Sequence, residues 1–129
     1  MASQTKRKHY KPYNTKELYD VCREVSVNFI NRETAFDAIR EWLRRNKDDN
    51  TRLKDAITYR GVGGETALHK ILEIHNPPLD IIQTFINYSP ESVKVIDNNG
   101  WLPLHLACYF EASLEVVYTS FPFLFSTSF

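Results

Sequence analysis

A chain of 129 residues is long enough for one domain with a hydrophobic core, and 43% hydrophobic with 25% charged residues is ordinary for a soluble protein. The formal net charge is zero, but residues 1–60 hold 14 Lys/Arg against 9 Asp/Glu, and residues 61–129 hold 2 against 7. This distribution argues against a uniformly basic nucleic-acid binder, and no apolar run approaches the roughly 18 residues of a membrane span.

The first 13 residues are polar and basic, and we expect them to form a disordered tail. The cluster Lys6-Arg7-Lys8 is compatible with a nuclear import signal or a weak phosphate-binding tail, although a solvated tail without a targeting signal is the simpler interpretation. No apolar segment follows these charges, as a secretory signal would require. The sequence therefore predicts an intracellular protein, either cytoplasmic or nuclear.

Residues 14–58 are predicted to form a pair of antiparallel helices that caps the rest of the chain. The first helix follows Asn14, and the second begins near Asn31 or Arg32. Both carry apolar residues at helical spacing: Leu18, Val21, Cys22 and Val25 in the first, and Ala35, Phe36, Ile39, Trp42 and Leu43 in the second. The segment from Lys47 to Gly64 is interpreted as a long loop that leads into the next unit.

Two stretches of the chain repeat one another. The sequence GETALHKIL at 64–72 aligns with GWLPLHLAC at 100–108, an offset of 36, and LDIIQTF at 79–85 aligns with LEVVYTS at 114–120, an offset of 35. Periods of 20 to 50 residues are typical of stacked supersecondary units. Thr66 and Ser113 can cap helices, so each unit is predicted to run turn, helix, short loop, helix.

The second stretch, DNNGWLPLHLA at 97–107, resembles the ankyrin repeat, whose pattern is Asp-x-x-Gly-x-Thr-Pro-Leu-His-x-Ala. It departs from that pattern only at Leu102, whereas the first unit has Gly61 for Asp, Ala67 for Pro and Ile71 for Ala. The resemblance implies an all-α, ankyrin-like solenoid with units at 59–96 and 97–122. It covers about half of the chain.

Four residues are expected to be structural: Thr66, His69, Leu104 and His105. In the ankyrin pattern the histidine bonds to backbone and to the threonine hydroxyl, which Thr66 can supply to His69 and Leu102 cannot supply to His105. Leu104 is expected in the core. No further ligands accompany the histidines, so we expect no metal and no cofactor.

No catalytic set is apparent either. The glycine-rich segment 61–64 lacks the Lys-Ser/Thr of a phosphate loop, and both cysteines, Cys22 and Cys108, lie in apolar helical patterns. Both are expected to be buried, inert thiols of a reducing compartment.

The resemblance implies that a protein partner binds the turn tips and the exposed face of each first helix. The corresponding residues are Val62, Gly63, Glu65, Glu73, Ile74, Asn98, Asn99, Trp101, Tyr109 and Phe110. An inward orientation is equally compatible with Ile74 and Phe110, whereas Trp101 is expected to be largely exposed because its neighbours in the turn are polar.

The sequence thus predicts a non-enzymatic protein–protein interaction module, with no nucleic-acid or membrane partner. The alternative is a structural fragment of a longer repeat array. In that case the apolar tail at 123–129 would mark an end that self-associates or docks onto further repeats.

Overall fold

The computed structural model describes residues 14–27, 32–74 and 76–122, and within these ranges the chain is all-α, with no β-strand. A short 3₁₀ helix spans Pro90–Lys94, and the α-helices are α1 (Glu17–Val27), α2 (Arg32–Arg45), α3 (Asn50–Thr58), α4 (Ala67–Ile71), α5 (Leu79–Tyr88), α6 (Pro103–Tyr109) and α7 (Leu114–Ser120). None of these helices has the length and apolar character needed to cross a membrane. The tails predicted at 1–13 and 123–129 lie outside the described residues.

The first two helices follow the predicted apolar periodicity. In α1, Leu18, Cys22 and Val25 are fully buried, and in α2 the fully buried Ile39 and the nearly buried Trp42 lie one turn apart. The α1 helix packs against α2 on one side and against α4 on the other. Cys22 therefore sits in the core, as predicted, and burial raises the pKa of its thiol.

A third helix, α3, occupies part of the segment that was predicted to be a loop. The side chain of Asp49 caps it by accepting the Arg52 N–H at 3.0 Å. Leu53, Ala56 and Ile57, at i, i+3 and i+4, are fully buried. Residues 14–58 thus contain three helices instead of a pair. The cap and the apolar spacing were both visible in the sequence.

The helices form successive layers. The α1 helix packs on α4 and α3 packs on α5, and in the same way α4 packs on α6 and α5 packs on α7. The layer of α1 and α3 therefore covers one side of the α4–α5 pair, and the α6–α7 pair covers the other. Phe85, Ile82 and Phe121 are fully buried and belong to one hydrophobic core. Among the described elements, none packs on the far side of the α6–α7 pair.

Three predicted burial states are corrected by this arrangement. Ile74, proposed as a partner contact, is only 2% exposed and belongs to the core. Leu104, expected in the core, contacts it but stays partly exposed. Cys108, expected to be buried, is exposed. The last two lie on the far side of α6, where no described layer covers them.

The two matched leucines should differ in their contribution to stability. Leu68 is fully buried between layers, so Leu68→Ala should lower the free energy of unfolding by about 2–5 kcal/mol, the range for a truncated core leucine. Leu104→Ala should lower it by less, because part of that side chain already contacts solvent. Urea melts of the two variants measure the difference. Equal losses would show that both sites are equally enclosed.

Candidate protein-binding surface

The turns before α4 and α6 have the same backbone geometry. In the first turn, Gly61 N–H donates to the Glu65 carbonyl at 2.8 Å, and Gly64 N–H donates to the Gly61 carbonyl at 3.0 Å. Gly64 has a φ of +81°, which glycine adopts without a steric penalty. The second turn repeats both bonds and this φ at an offset of 36: Asp97 N–H to Trp101 O at 3.0 Å, Gly100 N–H to Asp97 O at 3.0 Å, and Gly100 at +83°.

Hydrogen bonds also join the two turns to each other. Asn98 donates its N–H to the Gly63 carbonyl at 2.8 Å and its side-chain amide to the Val62 carbonyl at 3.2 Å. The guanidinium of Arg60 reaches across and donates to the Ile96 carbonyl. The two turns are therefore held at a fixed separation, so the side chains between them have a defined spacing.

His69 connects the cap of α4 with the second turn. Its Nδ1 accepts the Thr66 N–H at 3.1 Å, so the ring proton is on Nε2, which donates to the Trp101 carbonyl at 3.0 Å. The Thr66 hydroxyl in turn accepts the His69 N–H at 3.3 Å. The imidazole is fully buried, and this burial lowers its pKa below the usual value. The geometry agrees with the predicted structural role of His69 and Thr66.

His105 occupies the matching position in α6 but keeps only part of this arrangement. Its Nδ1 accepts the Leu102 N–H at 2.8 Å, so the backbone half of the cap forms even though Leu102 has no hydroxyl. The ring is exposed and lies edge-on to the Trp101 indole at 6.2 Å.

Carboxylates organise both turns. Asp97 accepts the N–H groups of Asn99 and Trp101, each at 2.9 Å, which stabilises the second turn from within. In the first turn Glu65 accepts the Gly63 N–H at 3.0 Å and the Tyr19 hydroxyl at 3.1 Å. Burial acts to raise the pKa of Glu65, but hydrogen bonds from its own N–H and from Tyr19 outweigh that effect and lower it.

A groove of about 360 Å³ lies between the two turns and the first helices. It is lined by Glu65, Glu73, Asp97, Asn99, Trp101, Leu106, Tyr109 and Phe110. One wall is aromatic: the Trp101 and Tyr109 rings meet edge to face at 5.5 Å, and the Tyr109 and Phe110 rings at 5.0 Å. The other wall is acidic. There Glu73 pairs with Lys70 at 3.2 Å, and burial raises the pKa of its carboxyl.

The groove brings together six of the ten predicted partner-binding residues. Tyr109 is 68% exposed, whereas Phe110 is partly buried against the core. The prediction that the Trp101 indole is largely exposed is wrong. Its side chain packs against the core and is only partly exposed. The remaining predicted residues, apart from the buried Ile74, lie at the turn tips outside the groove: Val62, Gly63 and Asn98.

Sequence reasoning missed Asp97 and Leu106 as groove residues. Asp97 was visible as the first residue of the Asp-x-x-Gly pattern, and Leu106 follows His105 in the same motif. Both were assigned to the repeat pattern and not to the surface. Within the described ranges, no group of three or more His, Cys, Asp or Glu side chains is placed to hold a metal ion.

No protein-family model matches this chain, and no curated protein or solved structure matches it. The function must therefore be inferred from the residues themselves.

The two turn glycines should respond differently to alanine. At Gly100 a Cβ would meet nothing within 4 Å, so Gly100→Ala should lower stability only by the roughly 1–2 kcal/mol of a left-handed non-glycine residue. At Gly64 the Cβ would lie 2.5 Å from the Asn98 side-chain oxygen and 3.0 Å from its backbone nitrogen. This clash should add about 1–3 kcal/mol. Thermal melts of both variants test the order, and a more damaging Gly100→Ala would contradict it.

The burial of His69 should make stability depend on pH. The pKa of its imidazole is lowered in the folded chain, so as pH falls below the usual value of about 6.5 the unfolded chain binds a proton first. The stabilisation by the neutral ring is complete above about pH 6.5 and is lost as pH falls through the lower folded value.

This dependence is measured by urea midpoints of the wild type and His69→Gln between about pH 7 and pH 5. The wild type should lose stability faster on acidification, and the exposed-site control His105→Gln should follow the wild type. Parallel pH curves for His69→Gln and the wild type would contradict the role assigned to the buried ring.

Proposed function

We propose that this chain is a non-enzymatic protein–protein interaction module with an ankyrin-like stack of units at 59–96 and 97–122. The observation that carries the proposal is the groove between the two turns, with its aromatic wall of Trp101, Tyr109 and Phe110. Residues 14–58 supply the layer that covers the first unit on its other side.

The repeated geometry of the two units supports the ankyrin-like arrangement. Turn hydrogen bonds and the positive φ of Gly64 and Gly100 recur at an offset of 36. The first helices of the units, α4 and α6, pack side by side, and so do the second helices, α5 and α7. The matched turns and the order in which the helices pack are thus both consistent with one repeated unit.

Binding by this groove would use a rigid surface. The backbone of Trp101 is held by bonds to Asp97 at its N–H and to Asp97 and His69 at its carbonyl. A surface held in this way loses little conformational entropy when a partner docks. Tryptophan and tyrosine are also the residue types that most often dominate binding energy at interfaces.

The groove also indicates the chemistry of the partner. Its acidic wall contains Glu65, Glu73 and Asp97, opposite the exposed ring of Tyr109. A protein segment with an apolar anchor flanked by Lys or Arg would complement both walls. Residues 61–129 carry 7 Asp/Glu against 2 Lys/Arg, which favours the same sign of partner.

An intracellular setting is part of this proposal. Neither cysteine is paired in a disulfide, and Cys108 is exposed as a free thiol. Exposed free thiols persist in reducing compartments.

Removal of the exposed Tyr109 ring should weaken the binding of a partner to the groove. Full-length chain would be used to capture a partner, whose affinity is then measured directly. Tyr109→Ala should weaken binding by more than about 1 kcal/mol, or roughly fivefold, if the ring is an interface anchor. Glu73→Lys reverses one charge of the acidic wall. It should weaken binding more at low salt than at high salt, because salt screens the interaction between charges.

Tyr118→Ala is the matched control, since Tyr118 is also an exposed tyrosine, at 51%, but lies on α7 outside the groove. It should leave the affinity unchanged. A partner that binds Tyr109→Ala as tightly as the wild type would place the interface elsewhere and remove the support for the groove.

A further inference from the structure

We infer that the groove between the two turns binds a methylated lysine side chain of the protein partner. In this arrangement the aromatic wall contacts the methyl groups, and the acidic wall balances the positive charge of the ammonium. The inference rests on the proposed function, since it names the chemical group that the groove recognises. Its test needs no knowledge of the partner.

The geometry of the aromatic wall suits a cation as well as an apolar group. The Tyr109 ring stands at 89° to the Trp101 ring and at 78° to the Phe110 ring, and all three rings line the groove. Two rings in a T-shaped contact form a corner, so one group in that corner contacts the faces of both. The face of an aromatic ring attracts a cation that lies within about 6 Å of the ring centroid.

The charges that line the groove have one sign. Glu65, Glu73 and Asp97 are among the lining residues, which include no Lys, Arg or His. Burial raises the pKa of the Glu73 carboxyl and the charges of Glu65 and Asp97 raise it further, whereas Lys70, which lies outside the groove lining, lowers it. A cation in the groove would relieve the repulsion between these carboxylates.

Hydrogen bonds within the chain favour a methylated ammonium over an unmodified one. One oxygen of each carboxylate already accepts such bonds, Oδ1 in Asp97 and Oε1 in Glu65 and Glu73. An unmodified lysine has three donors and is strongly hydrated, and an arginine has five donors. Methylation removes donors and keeps the charge, so a methylated lysine is attracted by the acidic wall but needs fewer free acceptors.

The groove is also formed before a ligand enters it. Its volume of about 360 Å³ lies within the range of ligand pockets, roughly 300–1,000 Å³. The Trp101 backbone is fixed by Asp97 and His69, and Phe110 packs against the core. Two of the three rings are therefore already held in place, which lowers the entropy lost on binding.

A matched pair of small molecules tests whether the groove selects a cation. Choline carries a trimethylammonium group, and its neutral isostere has a carbon atom in place of the charged nitrogen. The chain is titrated with each at constant ionic strength, and the indole N–H signals are followed by NMR. Trp101 reports on the groove, whereas Trp42, whose buried indole donates to Glu17 at 2.7 Å, is the internal reference.

Choline should bind at least about threefold more tightly than its isostere, the effect of a cation–π interaction at a partly exposed site. Backbone-blocked trimethyllysine should likewise bind at least about threefold more tightly than backbone-blocked lysine, because it has no N–H groups to desolvate.

Two variants locate this selectivity in the groove. Tyr109→Leu keeps apolar bulk but removes one ring, so it should reduce the advantage of choline over its isostere. Tyr118→Leu, at an exposed tyrosine outside the groove, should leave that advantage unchanged. Glu73→Gln removes one charge of the acidic wall and should weaken the binding of choline but not of the isostere. Circular dichroism checks that each variant remains helical.

Four results would overturn the inference. Equal binding of choline and its isostere would show that the groove takes apolar groups without regard to charge. Equal binding of the two lysine derivatives would show that methylation is not recognised. A Trp101 signal that does not move with choline would exclude the cation from the groove. Binding of the chain to phosphatidylcholine vesicles that Tyr109→Leu abolishes would assign the groove to a lipid headgroup.

These titrations are independent of the experiment with a captured partner. A partner that needs Tyr109, together with equal binding of choline and its isostere, would keep the interaction module and overturn only the methylated lysine. A partner that binds Tyr109→Ala as tightly as the wild type, together with selective binding of choline and trimethyllysine, would overturn the proposed interface and keep the recognition of the methylated ammonium.

Discussion

The buried imidazole of His69 is the contact on which the alignment of the two units depends. Its Nδ1 accepts a hydrogen bond from the Thr66 N–H at the start of α4, and its Nε2 donates a hydrogen bond to the Trp101 carbonyl in the next turn. A fully buried polar ring is tolerated only when both nitrogens are bonded. This requirement determines its tautomer, its neutral charge and the distance between the α4 cap and the second turn.

Trp101 shows how this constraint produces a surface. Its carbonyl accepts from His69 and from the Asp97 N–H, and its own N–H donates to the Asp97 carboxylate. The main chain at this position therefore has little freedom, and the indole lies beside α6, where it meets His105 and Tyr109 edge-on. A structural hydrogen bond in the core thus holds the backbone position from which an aromatic side chain is displayed.

Local features were predictable from the sequence, since they depend on nearby residues. The Thr66 and Ser113 caps and the two turn glycines are found where their residue types indicated. The α3 helix was missed although Asp49 and the following apolar spacing are local signals, because the repeat pattern favoured a loop there. The all-α class follows from such signals alone, whereas the order of the layers requires long-range contacts.

Exposure could not be predicted in the same way, because it depends on which layer covers a helix. Polar neighbours suggested that Trp101 projects into solvent, yet Asp97 satisfies the turn backbone and the indole folds over α6. This correction makes Trp101 a better candidate for an anchor. A partly buried side chain has already lost much of its rotamer freedom on folding, so a partner that covers the rest of the ring gains contact area with a smaller loss of entropy. The freely exposed Tyr109 beside it gains more area on binding but has more conformational entropy to lose, and the two rings in edge-to-face contact limit each other's motion.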